Sequence, residues 1–145
     1  MSLIKRLSTS HQNFAPLALR VPAGIIFMAH GSQKLFGWFG GYGLEGTSKF
    51  MASMGLEPGM LMATLAGSGE FFGGLLLLIG LMTRPAAAIT AFTMLVAIFS
   101  VHIEHGLFLS NGGFEYALAL FAVSISLLIS GGGKCAMDNS LAAKK

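Results

Sequence analysis

Charged side chains are scarce in this chain. Asp, Glu, Lys and Arg together make up 10% of its 145 residues, where an ordinary soluble domain carries roughly a quarter. That is too little charge to cover a water-facing surface, so a soluble enzyme domain is excluded as the first reading. Cysteine is reduced to Cys135. This rules out an internal disulfide and, with no C-x-x-C pair, a dithiol redox centre within the chain; any thiol chemistry needs a partner protein. The formal net charge is +3 and the pI is near 9.3, but Lys and Arg stand singly at the ends of apolar segments. The clustered face of a nucleic-acid binder is missing, and no nucleic-acid partner is expected. Neither H-x-x-x-H nor H-E-x-x-H spacing occurs, so no metal site is expected. No Ser or Cys stands beside a base in a recognisable nucleophile motif.

What is present is apolar. Hydrophobic residues make up 54% of the chain and the mean hydropathy is +0.73, the balance of a membrane protein. The length suits one domain with about four spans of some 20 residues and short connections. The reading is all-α: an antiparallel, integral-membrane four-helix bundle with spans at about 14–36, 60–81, 85–101 and 114–130, forming a single domain over 14–133. Residues 1–13 form a tail or short surface helix, and 134–145 a loosely ordered basic tail. Lys5 and Arg6 precede an apolar run, but Arg20 interrupts it and no small-residue cleavage site follows, so the first span is expected to stay uncleaved.

Pro16 suits the first turn of the first helix, and Pro22 predicts a kink. Arg20, one turn inside, is expected to snorkel to the nearer surface. In the long first connection, Trp38, Phe39 and Tyr42 suit an interfacial belt. Thr47–Met54 carries Phe50, Met51 and Met54 at helical spacing, which predicts a short helix lying on the membrane, stopped at Gly55. Gly67, Gly69, Gly73 and Gly74 in the second span are helix-packing positions. Gly69-x-x-x-Gly73 predicts close approach of a second helix, within the bundle or in a homo-oligomer.

Loop charges set the orientation. Lys5, Arg6, Arg84, Lys134, Lys144 and Lys145 fall on one side with Arg20 near it, and Lys34 and Lys49 on the other. Both termini are therefore expected in the cytoplasm of a bacterial inner (plasma) membrane, with the lipid bilayer as the chain's first partner. His30, Lys34, Glu70, His102 and Glu115 then arrive from four helices at the outer half of the bundle. Ionisable groups at bilayer depth cost about 2.5 to 3.5 kcal/mol on insertion scales, so they face each other or a polar cavity. With Gln33 they form a candidate ligand pocket. Five of them also have a plainer role: His30 as a satisfied core histidine, Lys34 as an interfacial anchor, Glu70 as an interhelical hydrogen bond or ion pair, His102 as a plain loop residue, and Glu115 as a complement to its own helix N-terminus.

The ordered set Arg20-x-x-x-Gly24, Ala29-His30-Gly31-x-Gln33-Lys34-Leu35-Phe36-Gly37, Gly43-Leu44-Glu45-Gly46-Thr47, Gly67-x-x-Glu70-x-x-Gly73-Gly74, Gly80-Leu81-x-Thr83-Arg84, His102 and Gly113-Phe114-Glu115-Tyr116 resembles the DoxX family of small bacterial inner-membrane proteins, over about Leu17 to Asp138. The resemblance implies a four-helix membrane bundle and an association with redox chemistry. Members include the membrane subunit of an archaeal thiosulfate:quinone oxidoreductase and a mycobacterial protein linked to superoxide dismutase and a sulfurtransferase-like protein. It therefore implies a quinone-associated subunit of a redox or sulfur-handling system, with quinone as a cofactor that no motif encodes and a soluble redox partner. In that reading the outer-half pocket binds a quinone head group or a small anionic substrate: His30 and Glu70 exchange protons, Lys34 attracts negative charge, and His102 with Glu115 completes the rim. Two other classes fit the same residues: a non-catalytic scaffold recruiting soluble redox enzymes, and a small transporter or proton path.

Overall fold

The computed structural model describes residues 3–9 and 12–143. Lys144 and Lys145, two of the charges counted above, lie outside them. Among the described residues there are seven α-helices and no strand: α1 (Leu3–Ser8), α2 (Ala15–Phe36), α3 (Gly43–Ser53), α4 (Gly59–Ile79), α5 (Thr83–Ala97), α6 (Glu115–Ser130) and α7 (Met137–Ala143). A widened π-type turn, Ile98–His102, extends α5. Two stretches, Gly59–Ile79 and Thr83–His105, are long and apolar enough to cross a membrane, and α6 is a shorter apolar helix. Pro16 lies in the first turn of α2, where its missing N–H costs nothing, and the helix runs on through Pro22 to a left-handed Gly37.

Glycine sets how α4 meets its neighbours. A Cβ at Gly24 would lie 2.7 Å from the Gly74 carbonyl oxygen, and one at Gly74 would lie 2.7 Å from the Met28 nitrogen. One at Gly31 would strike the Phe71 backbone, and one at Gly67 would lie 2.7 Å from the Leu35 side chain. Residue numbers rise along α2 as they fall along α4, so the two helices are antiparallel and in backbone contact. Gly69 and Gly73 face the other way, towards Thr93 and Thr90 of α5. Gly67 and Gly74 thus meet α2 while Gly69 and Gly73 meet α5, two partners in the same chain. Beyond them α5 pairs with α6, where the buried Thr90 and Ser124 hydroxyls meet at 2.9 Å. Phe27, Leu77, Ala86, Ala87 and Leu127 fill the space between these helices.

α3 begins at Gly43, four residues before the expected Thr47, and ends on a glycine: Gly55 has φ of 76°. The Gly55 and Leu56 N–H groups return to the Ala52 and Met51 carbonyls, which closes the helix. Thr47 and Met51 are buried, and the Thr47 hydroxyl donates to the Lys34 carbonyl at 3.3 Å. Phe50 and Met54 stay exposed. The helix is therefore docked by its Thr47/Met51 edge against α2 and α4.

At the opposite end two expectations fail. Arg20 does not snorkel: it is 1% exposed, and its guanidinium donates to the carbonyls of Leu78 (2.6 Å), Gly132 (2.9 Å), Leu77 (3.3 Å) and Lys134 (3.5 Å). The last turn of α4 and the turn after α6 leave carbonyls without intrahelical partners, and a guanidinium with five donors satisfies several at once. Nor is the described part of the C-terminal segment, 134–143, loose. Asp138 is buried and accepts from the Met82 and Thr83 N–H groups at 2.7 and 3.0 Å, capping α5 from the far end of the chain, while its own N–H donates to the Gly80 carbonyl. Replacing a capping carboxylate by alanine costs about 1–2 kcal/mol. Asp138→Ala should therefore lower the melting temperature in detergent and expose the bond after Lys134 to trypsin, and an unchanged melting curve and digestion pattern would refute the capping role.

Candidate functional site

Glu70 lies midway along α4 with 4% of its side chain exposed, and Lys34 lies near the end of α2 with 25% exposed. Their atoms Nζ and Oε2 are 2.6 Å apart. An isolated carboxylate in apolar surroundings would be strongly unfavourable, and a hydrogen-bonded cation at this distance offsets much of that cost. The glycine contacts make the link possible: Gly67, one turn before Glu70, packs on Leu35 and the Lys34 Cβ.

The pair stands between two cavities. The larger, about 510 Å³, lies beneath α3 between α2, α4 and α5. Its polar lining is Gln33, Lys34, Tyr42, Thr47, Glu70, Thr93 and His102, and the remainder is glycine and apolar residues including Leu65, Ala66, Phe92 and Val96. Leu65, Phe92 and Val96 are also exposed on the outer face of the molecule, Phe92 by 67%. The chamber is thus bordered by an apolar surface on α4 and α5. The smaller cavity, about 220 Å³, is lined by His30, Lys34, Glu70, His102 and Tyr116 with apolar residues of α2, α5 and α6, and by Leu109 and Gly113 of the loop before α6. Lys34, Glu70, Ala97 and His102 line both.

Each expected site residue can now be located. Lys34, Glu70 and His102 meet at the shared wall, Gln33 lines the larger cavity only, and His30 the smaller only. The His30 ring makes no hydrogen bond to the described residues and tilts against Tyr116, with centroids 6.2 Å apart. His102 Nδ1 lies 2.7 Å from the Gly112 carbonyl oxygen. A carbonyl can only accept, so Nδ1 carries the proton and Nε2 is the basic nitrogen of the neutral ring. Gln33 donates to the Phe39 carbonyl at 3.3 Å, bracing the aromatic loop after α2. Glu115 is not brought in: it is exposed and accepts from the Leu109 N–H at 2.8 Å, tying the loop to the start of its own helix. Its neighbour Tyr116 takes the place expected of it. Among the described residues, no group of three or more His, Cys, Asp or Glu side chains gathers as a metal site would require.

Removing one partner of a buried pair strands the other charge, at about 3 kcal/mol or more, whereas replacing both by apolar residues can be close to neutral. Thermal melts in detergent should therefore rank Lys34→Met and Glu70→Leu well below the wild type, with the double variant recovering much of the loss. Additive losses would show that the two side chains do not depend on each other.

A family model described as DoxX matches residues 15–103. The chain is 38% identical over 122 residues to the Bacillus subtilis protein named "Putative oxidoreductase CatD", covering 84% of this chain and 83% of that one. It is 34% identical over 134 residues to an uncharacterized protein of Haemophilus influenzae, covering 87% and 90%. It is 33% identical over 129 residues to the Escherichia coli inner membrane protein YqjF, covering 88% and 92%. No solved structure matches the chain. The family match spans more than half of the sequence and takes in Arg20, His30, Lys34, Glu70 and His102, so the chain belongs to the DoxX family.

Proposed function

We propose that this chain is a multi-pass protein of the bacterial inner membrane, an antiparallel four-helix bundle of α2, α4, α5 and α6 with both termini in the cytoplasm. Its larger chamber binds a quinone head group as part of a redox or sulfur-handling system. The membrane reading is supported by the composition, by the two stretches long enough to span, and by the name of the Escherichia coli relative. The orientation is supported by the gathering of Arg20, Arg84 and Lys134 at the end where α1 and α7 pack, opposite Lys34 and Lys49. The name of the Bacillus subtilis relative supports redox work.

One observation carries the ligand reading: an apolar chamber of about 510 Å³ ends on a buried ion pair and a histidine. Cavities of roughly 300–1,000 Å³ with apolar walls and a few polar groups are typical of small-molecule sites. A quinone matches these walls, since its ring and tail are apolar and its two oxygens need hydrogen-bond partners. The Lys34 ammonium donates to a carbonyl oxygen. His102 accepts from a hydroquinone hydroxyl when neutral and donates to a quinone oxygen when protonated. The sequence carries no motif for an electron carrier, so electrons come from the substrate or from a soluble redox partner. The scaffold reading is favoured by a different feature: Lys34 and Glu70 satisfy each other and join α2 to α4 with no ligand at all.

Trp38 is the single tryptophan and reports binding by quenching. Titration of the protein in lipid nanodiscs with a short-chain quinone should give saturable quenching. Glu70→Gln or the chamber-filling Ala66→Phe should weaken it at least tenfold, which is about 1.4 kcal/mol. Glu45→Gln, on the exposed face of α3, should leave it within twofold. Quenching that rises linearly and identically in all four proteins would refute the quinone reading and favour the scaffold.

A further inference from the structure

We infer that the smaller cavity is a water-filled vestibule, open to the outer aqueous phase, and that it exchanges protons with the larger chamber through Glu70. This deepens the quinone reading and rests on it for the identity of the proton donor and acceptor. Two spaces share one wall, and both reach the outer connections, the larger at Gly40, Gly41 and Tyr42 and the smaller at Leu109 and Gly113. The larger is bordered by exposed apolar residues of α4 and α5. The smaller shares Lys34, Glu70 and His102 with the larger and adds His30 and Tyr116. His30 faces it from α2 with Lys34 one turn above, Glu70 from α4, His102 from the end of α5, and Tyr116 from α6. His30, with no hydrogen bond to the described residues, keeps nitrogen sites for water. Glu70 lines both spaces and reaches either without moving through the chain.

The step needs no electrons. The O–H bond of a bound hydroquinone breaks, its proton passes to a Glu70 carboxylate oxygen, and a phenolate remains beside the Lys34 ammonium. The carboxylic acid then gives that proton to a neutral His30 nitrogen directly or through water, which restores the carboxylate and forms an imidazolium. The imidazolium releases the proton to vestibule water. The reverse order delivers protons to a quinone that has received electrons from the soluble partner.

Accessibility tests the vestibule without any quinone. In a Cys135→Ser background, which removes the exposed native thiol, Ala117→Cys and Leu120→Cys report on the smaller cavity and Ala66→Cys on the larger. A charged, membrane-impermeant methanethiosulfonate reagent should modify Ala117→Cys or Leu120→Cys at least tenfold faster than Ala66→Cys, and a lipid-soluble maleimide should reverse the order. Both smaller-cavity cysteines reacting no faster than Ala66→Cys with the charged reagent would overturn the vestibule, whatever occupies the larger chamber. Loss of saturable quenching in the quinone titration would overturn the ligand reading without altering the labelling. The hand-off itself is read by stopped-flow mixing with a short-chain hydroquinone and a pH-indicator dye in weakly buffered solution. His30→Gln should slow proton release at least tenfold, and an unchanged rate would remove His30 from the path.

Discussion

The structure depends on one buried contact, the Lys34–Glu70 pair. A carboxylate midway along an apolar helix needs a partner, and in this chain the partner comes from the neighbouring helix at 2.6 Å. So short a link sets a demand on the backbones. Gly24 and Gly74 let the backbones of α2 and α4 meet, while Gly31 admits the Phe71 backbone and Gly67 the Leu35 side chain nearer the pair. Close packing through small residues and an interhelical polar bond are two ways of joining helices where apolar burial alone does not drive association. Here each makes the other possible. The packing brings the charges together, and the charges fix the register in which the glycines pack.

The opposite end is held by a different economy of polar groups. Among the described residues Arg20 has no carboxylate in direct contact, and its guanidinium is spread over backbone carbonyls from the end of α4 and the turn after α6. Asp138 does the complementary task, taking up N–H groups at the start of α5. One cation serves helix C-terminal ends and one anion serves a helix N-terminal end, as the partial charges of those ends require. The molecule is thus fastened at one end through backbone groups and at the other through a side-chain pair. The second fastening opens onto the two cavities.

The sequence made the long helices legible, because apolar runs bounded by Gly, Pro and charge leave little choice: α2, α4 and α6 begin and end within two residues of the expected segments, and α5 runs on as a π-type turn to His102. The convergence of Lys34, Glu70 and His102 was also legible, from depth alone. The misses share a physical cause, which is that their partners are backbone groups or distant in sequence. A lone Arg one turn inside a helix is expected to reach for water, and nothing local announces four carbonyls waiting for Arg20. Asp138 caps a helix that starts more than fifty residues earlier, so no local capping pattern marks it. Glu115 and Tyr116 are adjacent, and a difference of 100° around the helix decides which one faces the cavity. That the polar cluster divides two spaces instead of lining one follows from side-chain packing, which periodicity does not encode.

The central claim is that the chamber walled by Lys34, Glu70 and His102 is a quinone site. The most direct measurement is native mass spectrometry of the protein released from its own membranes, with the small molecules it carries identified after dissociation. The account expects a quinone bound one to one in the wild type and absent from a folded Ala66→Phe variant whose chamber is filled. A wild-type protein that emerges with no bound quinone, or a variant that retains quinone in equal amount, would contradict it.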